Sequence, residues 1–296
     1  GYALARRRAT ARTDAGPSTA RRSPGLADRG GAALKFAHAG LLALLLGCCG
    51  CMQFNAVCDD DPGRIVGHST SSLDLRAEIL RRQEAAAGNL VADAFQHALA
   101  DAGAQLAVVN AGAIRAGDPC SNADVLLPGP LHLDTLANML PFGDELVLVE
   151  VTATELRKTL EHAVALLGAP GAAGRSSRFL QVANLRFAVD CSGAPQEGQQ
   201  VGQRVLDLEV ANADGTYTDV PTDDSVRYRV ATTTYLANGG DGHEWLRRQV
   251  SNQGESISEL DALVDYVESR PDRTVAPGVE GRISVRTTCA RAPGAQ

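Results

Sequence analysis

Three short segments of the sequence carry side chains suited to binding a small polar ligand. In chain order they are Asn110-Ala-Gly-Ala-Ile-Arg115, Leu140-Pro-Phe-Gly143 and Tyr235-Leu-Ala-Asn-Gly-Gly-Asp-Gly-His243. Small residues let backbone N–H groups approach a ligand, and Asn and Arg side chains supply directional donors. Phe142 and Tyr235 are suited to enclose a planar ring, Asp241 to accept hydroxyl groups, and Arg115 to meet a phosphate. Taken singly, each segment is also compatible with an ordinary turn.

Alternating helices and strands are predicted to position these segments at strand ends. Apolar spacing and β-branched runs predict the elements. The predicted helices are 89–102, 133–140, 152–167 and 258–269, and the predicted strands are 105–109, 145–151, 179–182, 185–189, 204–211, 225–234 and 282–286. Thr152-Ala-Thr-Glu155 is a capping box that opens the third helix. The Gly/Ala/Ser-rich residues 168–177 are expected to form a loop. The body is therefore one mixed α/β domain of about 235 residues, long enough for a substantial core.

The charge is divided unevenly along the 296 residues, whose formal net charge is -7. Residues 1–35 hold eight Lys or Arg against two Asp, a net +6, so the remaining residues carry -13. An acidic body argues against general nucleic-acid binding, which depends on clustered Lys and Arg. A hydrophobic fraction of 44% and a charged fraction of 21% are ordinary for a folded domain.

The basic head is interpreted as a leader. Residues 1–47 are expected to be a disordered basic stretch followed by a signal peptide, because Phe36–Leu46 is apolar but too short to span a membrane. Leu45-Leu46-Gly47-Cys48 resembles a bacterial lipobox, with Cys48 as the lipidated residue. The alternative is an ordinary cleaved signal. Both predict export to the bacterial periplasm or outer surface, and the first adds a lipid anchor as the only membrane contact.

The remaining boundaries and the cysteines follow from this interpretation. Residues 48–62 are expected to be a linker, 63–287 the domain, and 288–296 a tail. The body contains Cys58, Cys120, Cys191 and Cys289, which in an oxidising compartment predict two disulfides in any of three pairings. A zinc site is the competing idea, but the body has no Cys-x-x-Cys pair.

Five motifs occur in a fixed order along the body. They are Glu84…Gly88-Asn89-Leu90-Val-Ala-Asp-Ala94, Asn110-x-Gly-x-Ile-Arg115, Leu140-Pro-Phe-Gly143, Arg178-Phe-Leu-Gln-Val182 and Ala237-Asn-Gly-Gly-Asp-Gly242. Their order and spacing closely resemble the C-terminal domain of the 5'-nucleotidase family, from about Ile65 to Arg286. The resemblance implies a layered α-β-β-α domain (α/β, or α+β) with two mixed sheets between helices.

The resemblance also implies a substrate site for a nucleotide or nucleoside. Members of the family stack the base between two aromatic residues, at the positions of Phe142 and Tyr235. The Asn at position 110 contacts the base, and the Asp at position 241 binds the ribose hydroxyls.

Arginines complete the implied site. Those at the positions of Arg81 and Arg115 approach the ribose and the phosphate. Because Arg82 adjoins Arg81, the first of these positions is open between Arg81 and Arg82. Asn238 and Gly240, in the same glycine-rich loop as the carboxylate, are expected to be substrate-binding as well.

The sequence departs from the family pattern in the first turn. The family turn is commonly Asn-Gly-Gly-Gly-Ile-Arg, whereas Ala111 and Ala113 replace two glycines here. If either position needs a positive φ, alanine is unfavourable by about 1 kcal/mol. A methyl group there could also crowd the base. The Tyr at 235 stands where Phe is commoner.

Catalysis in the family resembled belongs to a separate metallophosphatase domain with two divalent metals. No Gly-Asn-His-Asp/Glu or Gly-His-x-His motif occurs here, and Asp-x-His occurs only as Asp241-Gly242-His243 in the glycine-rich loop, so no cofactor is expected in this chain. His243-Glu244 is the alternative, as an acid–base or single-metal site. Three interpretations stay open. In the first, the chain is the recognition half of a nucleotidase whose metallophosphatase half is another polypeptide or lies upstream of a truncated start. In the second it is a self-standing nucleotide-binding lipoprotein, and in the third an exported structural or interaction domain that has lost its ligand. The isolated chain is expected not to hydrolyse AMP at a rate like that of the family.

Overall fold

The computed structural model describes residues 63–116, 123–168, 176–198, 200–247, 249–250 and 256–289. Its strands are β1 (Ile65–Ser69), β2 (Leu73–Asp74), β3 (Leu106–Asn110), β4 (Val125–Leu126), β5 (Gly129–His132), β6 (Leu146–Thr152), β7 (Leu180–Ala183), β8 (Leu185–Val189), β9 (Val205–Ala211), β10 (Tyr217–Asp219), β11 (Arg227–Thr233), β12 (Gln249–Val250), β13 (Thr274–Val275) and β14 (Ile283–Val285). Its α-helices are α1 (Ala77–Leu80), α2 (Ala86–Ala98), α3 (Leu133–Met139), α4 (Ala153–Val164), α5 (Thr234–Ala237) and α6 (Glu259–Ser269). Short 3-10 turns cover Gly240–Gly242, Glu244–Leu246, Pro271–Arg273 and Thr287–Cys289.

Two mixed sheets form the centre of the described domain. The larger has the order β12-β6-β11-β3-β7, and the second has the order β10-β9-β8-β14. Among the described strands of these two sheets, only β11–β3 and β14–β8 are parallel pairs. The predicted mixed α/β class is confirmed. A three-stranded sheet, β13-β1-β5, and the β2–β4 pair are additions that the sequence did not predict.

Helix α2 covers the larger sheet, where it contacts β3 and β7, and it also packs against α6. It buries Leu90, Val91 and Phe95. Helix α4 contacts β6 of the larger sheet and β9 of the second. The apolar core is therefore continuous from the helices through both sheets.

The two sheets are joined by a single residue between β7 and β8. Asn184 has φ 56°, the left-handed conformation that Asn tolerates better than most residues. Its Nδ2 donates to the carbonyl of Gln105 at 3.0 Å, just before β3, and its own carbonyl accepts from Ala211 N–H at 2.9 Å, at the end of β9. Asn184 thus bonds to both sheets.

Local signals predicted some element ends and missed others. The capping box at Thr152 is present, with Thr152 Oγ1 and the Glu155 carboxylate each accepting the other residue's N–H. Helix α2 begins at Ala86 rather than 89, because its start is held from outside: the Ala85 N–H donates to the Gln181 side chain at 3.2 Å. It ends at Ala98 rather than 102, and the chain then turns at Gly103, which has φ 93°. The segment after β11, predicted as a loop, begins with helix α5, capped by Thr233 Oγ1.

One disulfide joins Cys191 and Cys289, whose Cα atoms are 4.9 Å apart. It links the end of β8 to the 3-10 turn after β14. This pair belongs to one of the three predicted pairings. Cys58 and Cys120, like Cys48, lie outside the described residues, as do the predicted leader and linker. None of the helices in the described ranges is long and apolar enough to cross a membrane.

Candidate functional site

The topology of the larger sheet gathers the predicted segments at one edge. Strand β11 runs parallel to β3 and antiparallel to β6, and β3 runs antiparallel to β7. The carboxyl ends of β3 and β11 therefore lie at the same edge as the amino ends of β6 and β7. The loops at that edge contain 110–115, 142–145, 176–179 and 234–243.

Asn110 ends β3 and starts a turn fixed by backbone hydrogen bonds. Ala111 N–H donates to Phe179 O at 2.7 Å, and Gly112 N–H to Ser177 O at 3.0 Å. Arg115 N–H donates to Met139 O at 3.0 Å. The expectation that backbone N–H groups of this turn face a ligand is wrong for these three, because they hold the turn to its neighbours.

The two alanines of this turn are not strained. Neither Ala111 nor Ala113 has a positive φ, and both are buried, so their methyl groups pack into the core. Gly112 is required for a different reason: a Cβ there would lie 2.6 Å from Cβ of Ser177. The family glycines replaced at 111 and 113 are therefore not needed for the backbone shape of this turn.

Asp241 lies in a left-handed turn held by the protein around it. Its φ is 51°, between Gly239 at 86° and Gly242 at 84°. The carbonyl of Asp241 accepts from Nε2 of His162 at 3.0 Å, which fixes the tautomer of that histidine. Burial lowers the pKa of His162, so the ring is neutral at pH 7.

The carboxylate of Asp241 accepts three side-chain hydrogen bonds. Asn110 Nδ2 donates to Oδ2 at 2.8 Å, and Ser177 Oγ donates to Oδ1 at 2.7 Å. The Tyr235 hydroxyl donates to the same Oδ1 at 3.2 Å and accepts from the Asp241 N–H at 3.1 Å. Sequence motifs named Asn110 and Tyr235 but missed Ser177 and His162, which no local pattern distinguishes.

The two predicted aromatic residues are exposed at this edge. Phe142 is 54% exposed and Tyr235 is 43% exposed. Their segments are joined where Thr234 N–H donates to Glu145 O at 2.8 Å. Phe142 does not pack into the core, because at the Pro141–Gly143 corner its side chain is open to solvent on this edge.

The Tyr235 ring lies close against Gly240. A Cβ at position 240 would lie 2.4 to 2.6 Å from three atoms of the Tyr235 ring, so only glycine fits beneath it. Burial and the Asp241 charge raise the pKa of Tyr235, which keeps its hydroxyl protonated as a donor at neutral pH. Asn238 is exposed, and its backbone N–H donates to Thr234 O at 3.0 Å.

Two arginines adjoin the carboxylate and Phe142. The guanidinium carbon of Arg115 lies 5.0 Å from the centre of the Phe142 ring, a cation–π distance. Burial, together with the positive charge of Arg115, lowers the pKa of Arg81, while the charge of Asp241 opposes that shift. Arg81 is thus close enough to both to interact with them, which favours it over Arg82 for the site.

Nε of Arg81 and Oδ1 of Asn110 are buried without a partner among the described residues, as are Oγ of Ser176 and Nδ1 of His243 in the loops at the same edge. Such atoms are uncommon, since buried polar groups are normally hydrogen-bonded. Arg81 is itself positioned by Gln181, whose Nε2 donates to Leu80 O and Gln83 O at 2.8 Å each. Arg81 thus holds an unused donor and Asn110 an unused acceptor, both of them buried.

The Glu84…Asn89 motif has a structural role. Asn89 Nδ2 donates to Glu84 Oε1 at 2.7 Å, and the same carboxylate accepts the N–H groups of Glu280 at 2.6 Å and Ile283 at 3.2 Å. Gly88 leaves space for Gln181, which a Cβ would meet at 2.3 Å. These contacts join the start of α2 to β7 and β14.

His243 is not an accessible acid–base group. It is fully buried, its Nε2 donates to Arg178 O at 2.9 Å, and burial with the nearby charge of His162 lowers its pKa to about 3. Within the described ranges no three His, Cys, Asp or Glu side chains are grouped closely enough to hold a metal ion. Among the described residues, His243 and Glu244 therefore form neither an accessible acid–base pair nor part of a metal-binding group, and the hypothesis for this pair is wrong.

The fold and this edge define an α/β domain with exposed aromatic, carboxylate and arginine side chains at the ends of adjacent strands. The chain belongs to the 5'-nucleotidase family: the family described as 5'-nucleotidase, C-terminal domain, matches residues 65–248.

Relatives and solved structures agree with this assignment. The trifunctional nucleotide phosphoesterase protein YfkN of Bacillus subtilis is 30% identical over 233 residues, covering 78% of this chain and 14% of that protein. A 5'-nucleotidase-related protein of Glossina morsitans morsitans is 29% identical, covering 77% and 39%. The crystal structure of the 5'-nucleotidase precursor from Thermus thermophilus superposes with a TM-score of 0.60 at 30% identity, covering 75% of this chain and 39% of that one. The chain thus spans well under half the length of these proteins.

Proposed function

We propose that this chain is a nucleotide- or nucleoside-recognition domain that stacks the base between Phe142 and Tyr235. The observation that carries the proposal is exposure: among the Phe, Tyr and Trp residues that the structure describes, only these two are exposed. Aromatic side chains usually lie buried, and both lie at one sheet edge beside polar groups. An exposed aromatic pair beside hydrogen-bonding groups suits a planar, polar ligand.

The polar groups supply the other parts of the proposed site. Asp241 would accept the ribose hydroxyls, and Asn110, whose Oδ1 has no described partner, would contact the base. Arg81 and Arg115 would meet the phosphate. These two cations matter because the chain as a whole is acidic, with a net charge of -7, and offers no general attraction for anions.

Hydrolysis is assigned to a metallophosphatase unit other than the described domain. The matched family is a C-terminal domain, and the described residues lack a group of side chains that fits a metal. A separate metallophosphatase partner is therefore proposed for catalysis, and a nucleotide or nucleoside as the ligand of this chain.

Calorimetric titration with adenosine and with AMP tests recognition. Saturable binding is expected, and Phe142→Ala should weaken it at least about tenfold, since stacking on a base contributes roughly 1–3 kcal/mol. Tyr217→Ala is the matched control, because Arg186 covers Tyr217 at 4.0 Å in the second sheet much as Arg115 covers Phe142. Absent binding, or equal loss in both variants, would reject the site and favour a domain without a ligand.

Phosphate release from AMP tests the assignment of catalysis. With Mg²⁺, Mn²⁺ or Zn²⁺ present, the isolated chain is expected to release none above background. Release that EDTA abolishes would show that the chain itself is a metallophosphatase.

We also infer export and a lipid anchor at Cys48 from the Leu45-Leu46-Gly47-Cys48 sequence. The Cys191–Cys289 disulfide supports an oxidising compartment. Mass spectrometry of the mature amino terminus after expression in a bacterium is the test. A diacylglyceryl group on Cys48 is expected, and a Cys48→Ser chain should leave the membrane fraction. An unmodified cysteine would favour an ordinary cleaved signal.

A further inference from the structure

The carboxylate of Asp241 is almost fully engaged without any ligand. A carboxylate has about four acceptor positions. Three are taken, by Asn110 Nδ2 on Oδ2 and by the Ser177 and Tyr235 hydroxyls on Oδ1. A sugar cis-diol donates two hydrogen bonds, so only one of its hydroxyls has a free position.

The Tyr235 hydroxyl is the donor most easily displaced. Its bond to Oδ1 is 3.2 Å, against 2.7 Å for Ser177 and 2.8 Å for Asn110. Tyr235 is also 43% exposed, whereas Asn110 is 4% exposed and is fixed at the end of β3. Longer bonds from exposed side chains exchange most readily with an incoming hydroxyl.

The Tyr235 hydroxyl also forms a hydrogen bond with the backbone of Asp241. It accepts the Asp241 N–H at 3.1 Å while it donates to Oδ1, and the aromatic ring rests on Gly240. A phenylalanine would keep the ring and its outer face but would lose both bonds. The hydroxyl therefore fills an acceptor position of the Asp241 carboxylate and is not part of the surface on which a base would stack.

We propose that the Tyr235 hydroxyl competes with the sugar hydroxyls of a nucleoside for the Asp241 carboxylate, which makes Tyr235 a specificity-determining residue. The proposal rests on the proposed function. Its consequence is that this chain discriminates less between ribose and dideoxyribose than it would with Phe at 235, because a ribose must replace an internal bond that a dideoxyribose leaves intact.

The test compares adenosine with 2',3'-dideoxyadenosine by calorimetry on the full chain and on Tyr235→Phe. Removing the competing hydroxyl should tighten adenosine binding about three- to tenfold, the net value of one hydrogen bond in an equilibrium constant. Dideoxyadenosine affinity should stay unchanged, because that ligand does not use Asp241. Tyr217→Phe, the same chemical change in the second sheet, should alter neither.

The outcomes separate this proposal from the proposed function. Wild-type binding with unchanged or weaker adenosine affinity in Tyr235→Phe would overturn the competition and leave recognition standing. An equal gain for both nucleosides would overturn it too, because the effect would then not pass through the diol. No binding by either protein would overturn both proposals.

Discussion

Nδ2 of Asn110 lies 2.8 Å from Oδ2 of Asp241 and joins two loops that are 131 residues apart in the chain. Asn110 is buried at the end of β3, so this bond ties the carboxylate to a buried residue of the sheet. The acceptor oxygen of Asn110 stays unpartnered among the described residues while its donor is used. The amide therefore orients Asp241 with its donor end, while its acceptor end stays buried.

Asn110→Asp should weaken adenosine binding by about tenfold or more at pH 8. The change puts a second carboxylate against Asp241, and two carboxylates at this separation raise the pKa of one of them and repel each other. Binding should recover in part at pH 5, when the pair shares a proton. Calorimetry at the two pH values measures this. Asn212→Asp, where the amide donates to Thr216 and Thr218 hydroxyls, is the control, and an effect independent of pH would contradict the explanation.

Ala111→Gly should destabilise the protein by about 0.4–1 kcal/mol without improving nucleoside affinity. The alanine has no positive φ here, so glycine only adds freedom to the unfolded chain. Gly112→Ala should cost more, because its Cβ would lie 2.6 Å from Cβ of Ser177, which holds Asp241. Urea unfolding and calorimetry measure both. Tighter binding by Ala111→Gly would mean that the alanine methyl crowds the ligand.

Glu259→Gln should make the protein more stable than the wild type at pH 8, by about 1–3 kcal/mol. Glu259 is fully buried, accepts Gly143 N–H at 3.1 Å, and has Oε2 without a described partner. Burial, with the charge of Asp144, raises its pKa to about 7. Between the unfolded pKa near 4.5 and this value, the folded protein holds a proton that the unfolded chain has lost, so stability falls as pH rises.

The difference between variant and wild type isolates this effect, because His243, with its pKa lowered to about 3, contributes a slope of the opposite sign below pH 6.5. Urea unfolding at pH 4.5 and pH 8 is the measurement. The two proteins should differ little at the lower pH. Exposed Glu145→Gln is the control, and a constant difference at both pH values would show that Glu259 does not titrate in this range.

The double variant Cys191→Ser, Cys289→Ser should lower the free energy of unfolding by about 2–4 kcal/mol. The bond spans 98 residues of sequence, and closing so long a loop restricts the unfolded chain. Urea unfolding under non-reducing conditions measures the loss. Nucleoside affinity should not change, since the bond lies on the second sheet. Unaltered stability would indicate that the cysteines are reduced in the folded protein.

Much of the fold was predictable because its main elements carry local signals. Thr152 and Glu155 predict the start of α4, and the alternation of arginine with apolar residues along 226–230 is typical of a strand such as β11. Strands β1 and β5 were missed because their short sequences contain Gly67, His68 and Pro130, which obscure the apolar pattern. The start of α2 was misplaced because a tertiary contact from Gln181 determines it.

The site residues that belong to sequence motifs were predictable, and those that join the site only through long-range contacts were not. Motif order identified Asn110, Phe142, Tyr235 and Asp241, and the strand order gathers their segments at one edge. Nothing local marks Ser177, which lies 64 residues from Asp241 and yet donates to its carboxylate. His162 is 79 residues away and holds the carbonyl of the same residue. Such partners can be identified only once the strand order of the sheet, and with it the proximity of distant segments, is known.

The single residue between β7 and β8 has a consequence for cooperativity. Asn184 leaves no linker in which strain could be absorbed, and it bonds to Gln105 beside one sheet and Ala211 in the other. Unfolding of either sheet breaks hydrogen bonds made by this residue and thereby destabilises the other sheet. The described domain should therefore unfold in one transition, with Trp245 fluorescence and far-ultraviolet circular dichroism changing at the same urea concentration.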